Sequence, residues 1–286
     1  MVDHDRIDAH QHFWRLDRGD YGWLTPEKRL IYRDFGPEDL APLLARADIA
    51  QTVLVQAAPT TGETLFLFDL AAVTPFVAGV IGWGPFDAPD GPEILASLAE
   101  NPALKGFRPM IHDIPDLDWI LRPAVGASLR VLETLGLTFD ALIRPPHLPN
   151  LRRVLDRHPD LRVVIDHAAK PEIAAERLAT WAVDMRALAR ETTAWVKLSG
   201  LLTEAGPDWS VERLRPYVDH LLEHFGPTRL IFGSDWPVVT LAASYGEWLA
   251  VTEALLATLD SESRSWIMGR NARECYRLQS PPSLKP

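Results

Sequence analysis

Short runs of β-branched and apolar residues, bounded by Gly, Pro and polar clusters, recur along the chain, with a helical apolar period in most of the intervals. The runs predict strands over residues 6–10, 51–56, 76–83, 104–110, 137–143, 161–167, 194–198 and 229–232. Helical patterns are expected over 37–47, 62–73, 92–100, 125–135, 148–157, 174–191 and 211–225. The first and fifth open with Pro near the first helical position, where its missing N–H is not needed. A C-terminal helical pair is expected over 243–259 and 262–277, followed by a tail over 280–286 that should fray. Strand followed by helix, reaching eight strands, predicts a parallel sheet covered by helices and closed into a (β/α)8 TIM barrel. No internal repeat or low-complexity linker divides the chain, so residues 1–286 read as one domain.

Two stretches break the alternation. Residues 13–34 form a long insertion after the first strand, carrying Trp14, Tyr21, Trp23 and Tyr32, and residues 111–123 form another after the fourth. Loops of this length at the C-terminal ends of barrel strands are where function concentrates.

Composition narrows the reading further. A length of 286 residues is ordinary for such a barrel, which typically needs about 250. The net charge of −10, with no run of Lys or Arg, argues against a groove that tracks nucleic-acid phosphates. The polar, acidic start and the absence of any apolar stretch approaching the about 20 residues of a membrane span point to the cytoplasm. With Cys275 as the one cysteine, no intrachain disulfide can form, and it is read as an inert residue of a C-terminal helix.

Three strings carry candidate chemistry. In Asp8-Ala9-His10-Gln11-His12 alternate residues of a strand point the same way, so both imidazoles would leave its end together as half a metal site. In Val163-Val164-Ile165-Asp166-His167-Ala168-Ala169-Lys170-Pro171 a continuous apolar run stops in polar groups that need partners or a task. Leu230-Ile231-Phe232-Gly233-Ser234-Asp235-Trp236-Pro237 sets a carboxylate where a buried strand ends. Each has an ordinary reading: chance for His-x-His, a core histidine bonded to a carbonyl for His167, a turn residue or helix cap for Asp235. Strands one, six and eight would nevertheless aim all of them at one mouth.

On these residues the chain resembles the amidohydrolase superfamily, in its amidohydrolase-related branch of lactone hydrolases, and within it the sugar-acid lactonases. Further landmarks are Tyr21-Gly22-Trp23-Leu24, Thr52-Val53-Leu54-Val55-Gln56-Ala57, Lys105-Gly106-Phe107-Arg108 and Lys197-Leu198-Ser199-Gly200. The resemblance implies a catalytic centre of His10, His12, His167 and Asp235, with Asp235 as the base that activates water. It also implies that these four would hold a metal ion. Metal-rich members carry a carboxylated Lys or a Glu on strand four and a His on strand five. Here strand four offers Lys105, too early for a bridging carbamate, and Arg108, and strand five ends in Arg144 with His147 beyond. The expectation is therefore at most one divalent ion, zinc or similar, in a branch that also contains metal-independent enzymes.

Hydrolysis of a lactone needs a base for water, positive charge near the carbonyl oxygen and a proton for the departing alkoxide. Asp235 suits the first and either a cation on His10 and His12, or the imidazoles with Arg108, the second. His112, His147 and Lys170 are the candidate proton donors. Candidate substrate contacts are Arg108, Trp23, Gln56, His112, Trp236 and Lys170, with Trp14 and Tyr21 as further rings for stacking. Lys197 and Ser199 either line the pocket or bond across the barrel. Rival readings are a metal-dependent decarboxylase or a sugar-lactone isomerase of the same superfamily, or a barrel that binds a sugar acid without turning it over. A homo-oligomer paired through outer helices stays open.

Overall fold

The apolar runs all become strands of one parallel sheet in the computed structural model, which describes residues 6–279. The tail over 280–286 lies outside the described residues. Strand β1 (Ile7–Gln11) is followed in hydrogen-bonded order by β2 (Gln51–Val55), β3 (Val77–Gly82), β4 (Leu104–Phe107), β5 (Thr138–Ala141), β6 (Arg162–Ile165), β7 (Trp195–Leu198) and β8 (Leu230–Phe232). Beyond β8 the ring closes onto β1 through two backbone bonds, Asp235 N–H to the His10 carbonyl and His12 N–H to the Trp236 carbonyl, both 2.7 Å. This is a single-domain (β/α)8 barrel.

Helices α1 (Pro37–Ala47), α2 (Thr61–Val73), α3 (Gly91–Leu98), α4 (Pro123–Leu135), α5 (Leu148–Arg157) and α6 (Ala179–Glu191) return the chain between strands. After β7 come α7 (Leu201–Ala205) and α8 (Val211–Phe225). Local chemistry starts them: Thr60 accepts from Glu63 N–H ahead of α2, and Ser210 accepts from Arg213 N–H ahead of α8, each satisfying a donor that the first turn leaves free. The main core lies between strands and helices, with Phe107, Phe139, Trp181 and Trp248 buried in it.

A second apolar cluster fills the barrel floor, where Ile7, Val53, Ile81 and Ile231 meet Ala272, Cys275 and Tyr276. The last three belong to α11 (Asn271–Cys275) and the residue after it; α11 follows α9 (Tyr245–Leu255), α10 (Ser261–Ser265) and a π-turn over Trp266–Arg270. Burial pushes the Cys275 thiol pKa well up, as suits an inert floor residue.

Several expected strands are shorter than their apolar runs: β4 stops at Phe107, β5 at Ala141 and β6 at Ile165, and Arg108, Arg144 and His167 beyond these ends line the mouth. The helix expected from 174 begins at Ala179, after a 3-10 turn over Ile173–Ala175, and α7 had no apolar period to announce it. The 13–34 insertion has little regular structure. It is pinned by an antiparallel bridge between Trp14 and Phe35, and Trp14 and Tyr21 are buried as packing rather than offered to a ligand.

Candidate active site

The closure seam fixes the centre. Asp235 takes a left-handed conformation (φ 58°) as its N–H bonds to His10, and two residues along β1 His12 answers Trp236. His12 Nε2 thereby lies 3.3 Å from Asp235 Oδ1 and 3.2 Å from His10 Nε2, and the His10 and His167 rings are 4.5 Å apart. His10, His12, His167 and Asp235 are thus brought together at one end of the barrel from three strands, as the strings predict.

His12 Nδ1 lies 2.8 Å from the Val55 carbonyl, which can only accept, so Nδ1 carries the proton and Nε2 presents a lone pair. His10 is wedged between two cations, with Lys197 Nζ 3.2 Å from Nδ1 and Arg108 Nη1 3.2 Å from Nε2. Burial, then those two charges, hold its pKa well below the ordinary imidazole value. Burial also depresses His12, and burial together with the neighbouring His10 depresses His167, so all three rings are neutral near pH 7.

Beneath them lies an ionic network that the sequence did not disclose. Lys197, wholly buried, donates to Asp140 Oδ2 at 2.6 Å and pairs with Asp166 Oδ1 at 3.0 Å. Tyr276 O–H donates to the same Asp140 oxygen at 2.8 Å. Lys197 therefore bonds across the barrel instead of lining the mouth. Arg108 Nη1 lies 3.6 Å from Asp166 Oδ2, so two carboxylates face two cations inside the barrel.

The turn after β6 is the most strained part of the site. His167, Ala168, Ala169 and Lys170 have φ of 51°, 49°, 60° and 51°. Such left-handed residues cost about 1–2 kcal/mol each when not glycine. Ala168 and Ala169 are buried, Trp181 Nε1–H bonds the Ala168 carbonyl at 2.7 Å, and His167 Nδ1 lies 2.8 Å from Ser199 Oγ. Gly200, itself left-handed, leaves room for that ring; a Cβ there would fall 2.6 Å from His167 Nδ1.

Above these groups opens a cavity of about 330 Å³, within the usual range of small-molecule sites. His12, Arg108, His167 and Asp235 reach it from the barrel, and Trp23, Lys28, His112, Arg144, Lys170 and Glu204 from the loops. Trp23 is held by its Nε1–H bond to the Ala57 carbonyl, 2.7 Å. Two expected contacts do not reach it. Gln56 is wholly buried, its side-chain amide donating to the Arg108 main-chain carbonyl at 2.5 Å while its main-chain carbonyl accepts from Arg108 Nη2. Trp236 is packed edge-on against Phe13 and Phe35. His147 is tied to the Arg144 backbone outside the wall, and Lys105 donates to the Pro102 carbonyl away from the mouth. Sequence reasoning missed Lys28, Glu204 and Asp140, and flagged Asp166 only as a polar group in need of a partner; an aspartate inside the apolar β5 run was the available signal for the network.

Three of these donors have the spacing of a metal site. His10 Nε2, His12 Nε2 and Asp235 Oδ1 are separated by 3.2, 3.3 and 3.7 Å. Ligands about 2.0–2.1 Å from a tetrahedral zinc ion lie about 3.3 Å apart, so these three fit one divalent ion. His167 falls in a second group with His10 and Asp166, so the four expected ligands do not form one set.

A family model described as amidohydrolase matches residues 7–278. The chain is 46% identical to an L-fucono-1,5-lactonase of Burkholderia ambifaria over 280 residues, covering 96% of this chain and 97% of that protein. It is 36% identical to an L-fucono-1,5-lactonase of Burkholderia multivorans, covering 98% of each. A crystal structure of a Burkholderia multivorans amidohydrolase with bound zinc superposes with a TM-score of 0.91 at 34% identity, covering 96% of this chain and 99% of that one. A 2,6-dihydroxybenzoate decarboxylase at 15% identity shares the fold alone. The barrel, the His-x-His strand end and a match running through nearly every described residue agree: the chain belongs to the amidohydrolase family.

Proposed function

We propose that this protein hydrolyses a sugar-acid (aldono) lactone to the free acid. The observation that carries this reading is a carboxylate, Asp235, that lines the cavity against the neutral imidazoles of His12 and, behind it, His10, with Lys28, Arg108, Arg144 and Lys170 in the cavity wall. Relatives named L-fucono-1,5-lactonase, aligned from end to end, support a six-membered aldonolactone as substrate.

Asp235 accepts a proton from the water that attacks the lactone carbonyl. Arg108 faces the cavity with a permanent charge and offsets the negative charge that develops on the carbonyl oxygen. Trp23 offers an apolar surface to a sugar ring. His112, buried and crowded by Lys170, Arg108 and Arg144, has its pKa pushed down to about 3, so it lines the wall as a neutral ring. A divalent ion on His10, His12 and Asp235, when bound, would supply Lewis-acid polarisation and a more acidic water.

The reading places the enzyme in carbohydrate metabolism and in the cytoplasm; an acidic chain with one buried cysteine suits that compartment, and no helix among the described residues is long and apolar enough to cross a membrane. The test is a pH-indicator assay over a panel of aldonolactones including L-fucono-1,5-lactone, with and without chelator. Wild type should release acid, and Asp235→Asn should lose about 10²–10⁴-fold in kcat. Acid release at the wild-type rate by Asp235→Asn would remove the proposed base, and no release from any lactone would remove the reading.

A further inference from the structure

The departing ring oxygen still needs a proton, and the wall of the cavity narrows the source. Arg108 and Arg144 do not give up protons in proteins. His147 is outside the wall, and His112, held neutral and pairing with Asp113 through Nε2 at 3.2 Å, has no imidazolium proton to give. Lys28 bonds the Trp23 carbonyl at 2.7 Å and lies over the Trp23 ring, 4.7 Å from its centre, so the 13–34 insertion holds it on the tryptophan rather than on the turn that carries His167.

Lys170 is placed differently. Its N–H bonds back to the His167 carbonyl at 2.8 Å, closing a left-handed turn of three residues, and in such a turn residues three apart stack on one face. His167 and Lys170 both line the cavity, and the charge of Lys170 reaches His10, His167 and His112. Its ammonium donates to Glu204 on α7, a side chain that also lines the cavity. One of three N–H groups is thus used for aim, and the other two are free to meet a substrate oxygen. Both side chains keep some solvent contact, 16% and 18% of their surface, which gives a route for proton replacement.

Resting on the lactonase reading, we infer that Lys170 is the general acid that protonates the leaving ring oxygen, with Glu204 as the residue that positions it. In the step, the ring C–O bond of the tetrahedral adduct breaks and its electron pair goes to the ring oxygen. A Lys170 N–H bond breaks and the new hydroxyl O–H forms. The neutral amine regains a proton from solvent, Asp235 returns to solvent the proton taken from water, and the product is the open-chain hydroxy acid, which ionises. The strained turn is the device that sets this acid beside the imidazole cluster.

The test compares wild type, Lys170→Met and Lys170→Arg on L-fucono-1,5-lactone, whose leaving group is an alkoxide, and on dihydrocoumarin, whose phenolate leaves unaided. On the aldonolactone Lys170→Met should lose about 10²–10⁴-fold in kcat, with KM little changed. On dihydrocoumarin it should lose less than about tenfold, and Lys170→Arg, which keeps the charge and the Glu204 pair, should not restore the sugar-lactone rate. Equal losses on both lactones, a rise confined to KM, or restoration by arginine would overturn the assignment. If only the aldonolactone is opened, or if Lys170→Met fails to fold, Lys170→Arg decides alone. Wild type that opens neither lactone defeats the lactonase reading itself.

Discussion

Replacing Lys197 by methionine should be among the most damaging single changes in this protein. The ammonium is wholly buried, 2.6 Å from Asp140 and 3.0 Å from Asp166. At an effective dielectric constant of about 20, each attraction is about 6 kcal/mol. Desolvating the three ions offsets most of that gain, so the intact network contributes little net stability. Removing one partner is different, because two carboxylates are left in the barrel, Asp166 with Arg108 at 3.6 Å and Asp140 with neutral donors such as Tyr276, and such losses run to about 3–5 kcal/mol. With a urea m-value of about 3 kcal/mol/M, the midpoint should fall by about 1–1.7 M. The ten Trp residues make fluorescence a suitable probe. The penalty should also depend on pH. Without the lysine, burial raises both carboxyl pKa values above their unfolded ones, so stability is retained at acid pH and lost as pH rises through the folded values. Lys197→Met should therefore approach wild type near pH 4 and fall furthest behind near pH 8. A penalty below about 1 kcal/mol, or one that is flat between these values, would refute the account of Lys197 as the counter-ion of Asp140 and Asp166.

Two further changes probe the loop and the strained turn. Glu63, buried beneath the 13–34 insertion and accepting from Tyr21 O–H and Ala57 N–H, has its pKa raised to about 7, chiefly by burial. Its contribution to stability is full below the unfolded value and lost as pH rises through about 7, a change of about 3 kcal/mol. The difference in melting temperature between wild type and Glu63→Gln should thus shift against wild type between pH 5 and 8; a constant difference would sink the idea. Gly200→Ala puts a Cβ 2.6 Å from His167 Nδ1 at a φ of +65°. It should cost about 1–2 kcal/mol in denaturation and at least about tenfold in kcat, and a variant with wild-type kcat would show that the His167 position is not critical.

The barrel was legible because a parallel strand covered on both faces writes itself as a plain apolar run, and such runs recur here at every strand. His10, His12, His167 and Asp235 were legible for a related reason, since polar residues at the ends of such runs stand out. What hid the rest was distance along the chain and the ambiguity of single charges. Asp140 and Lys197 are each one charged residue in an apolar strand, 57 positions apart, and nothing local says they meet at 2.6 Å. Glu204 lies in a five-residue helix too short for an apolar period. Trp236 and Gln56 misled because an aromatic or amide next to a catalytic string scores the same whether it faces the ligand or holds the scaffold. The structure gives both to the scaffold.

One residue shows how closely the two roles are joined. Asp8, the first of the His-x-His string, accepts from His10 N–H at 3.1 Å, from Ser234 N–H at 2.8 Å and from Tyr245 O–H at 3.1 Å. Its carboxylate therefore grips β1 and the turn after β8 at once, directly under the seam where His10 and Asp235 exchange their backbone bond. Burial raises its pKa to about 6 in spite of these donors. The distance between the proposed base and its imidazoles is consequently set by main-chain bonds and one buried carboxylate, not by flexible side-chain contacts. A centre that must hold water against a carbonyl within a few tenths of an ångström gains from this placement, because groups anchored through main-chain bonds at strand ends keep their geometry better than groups set on loops.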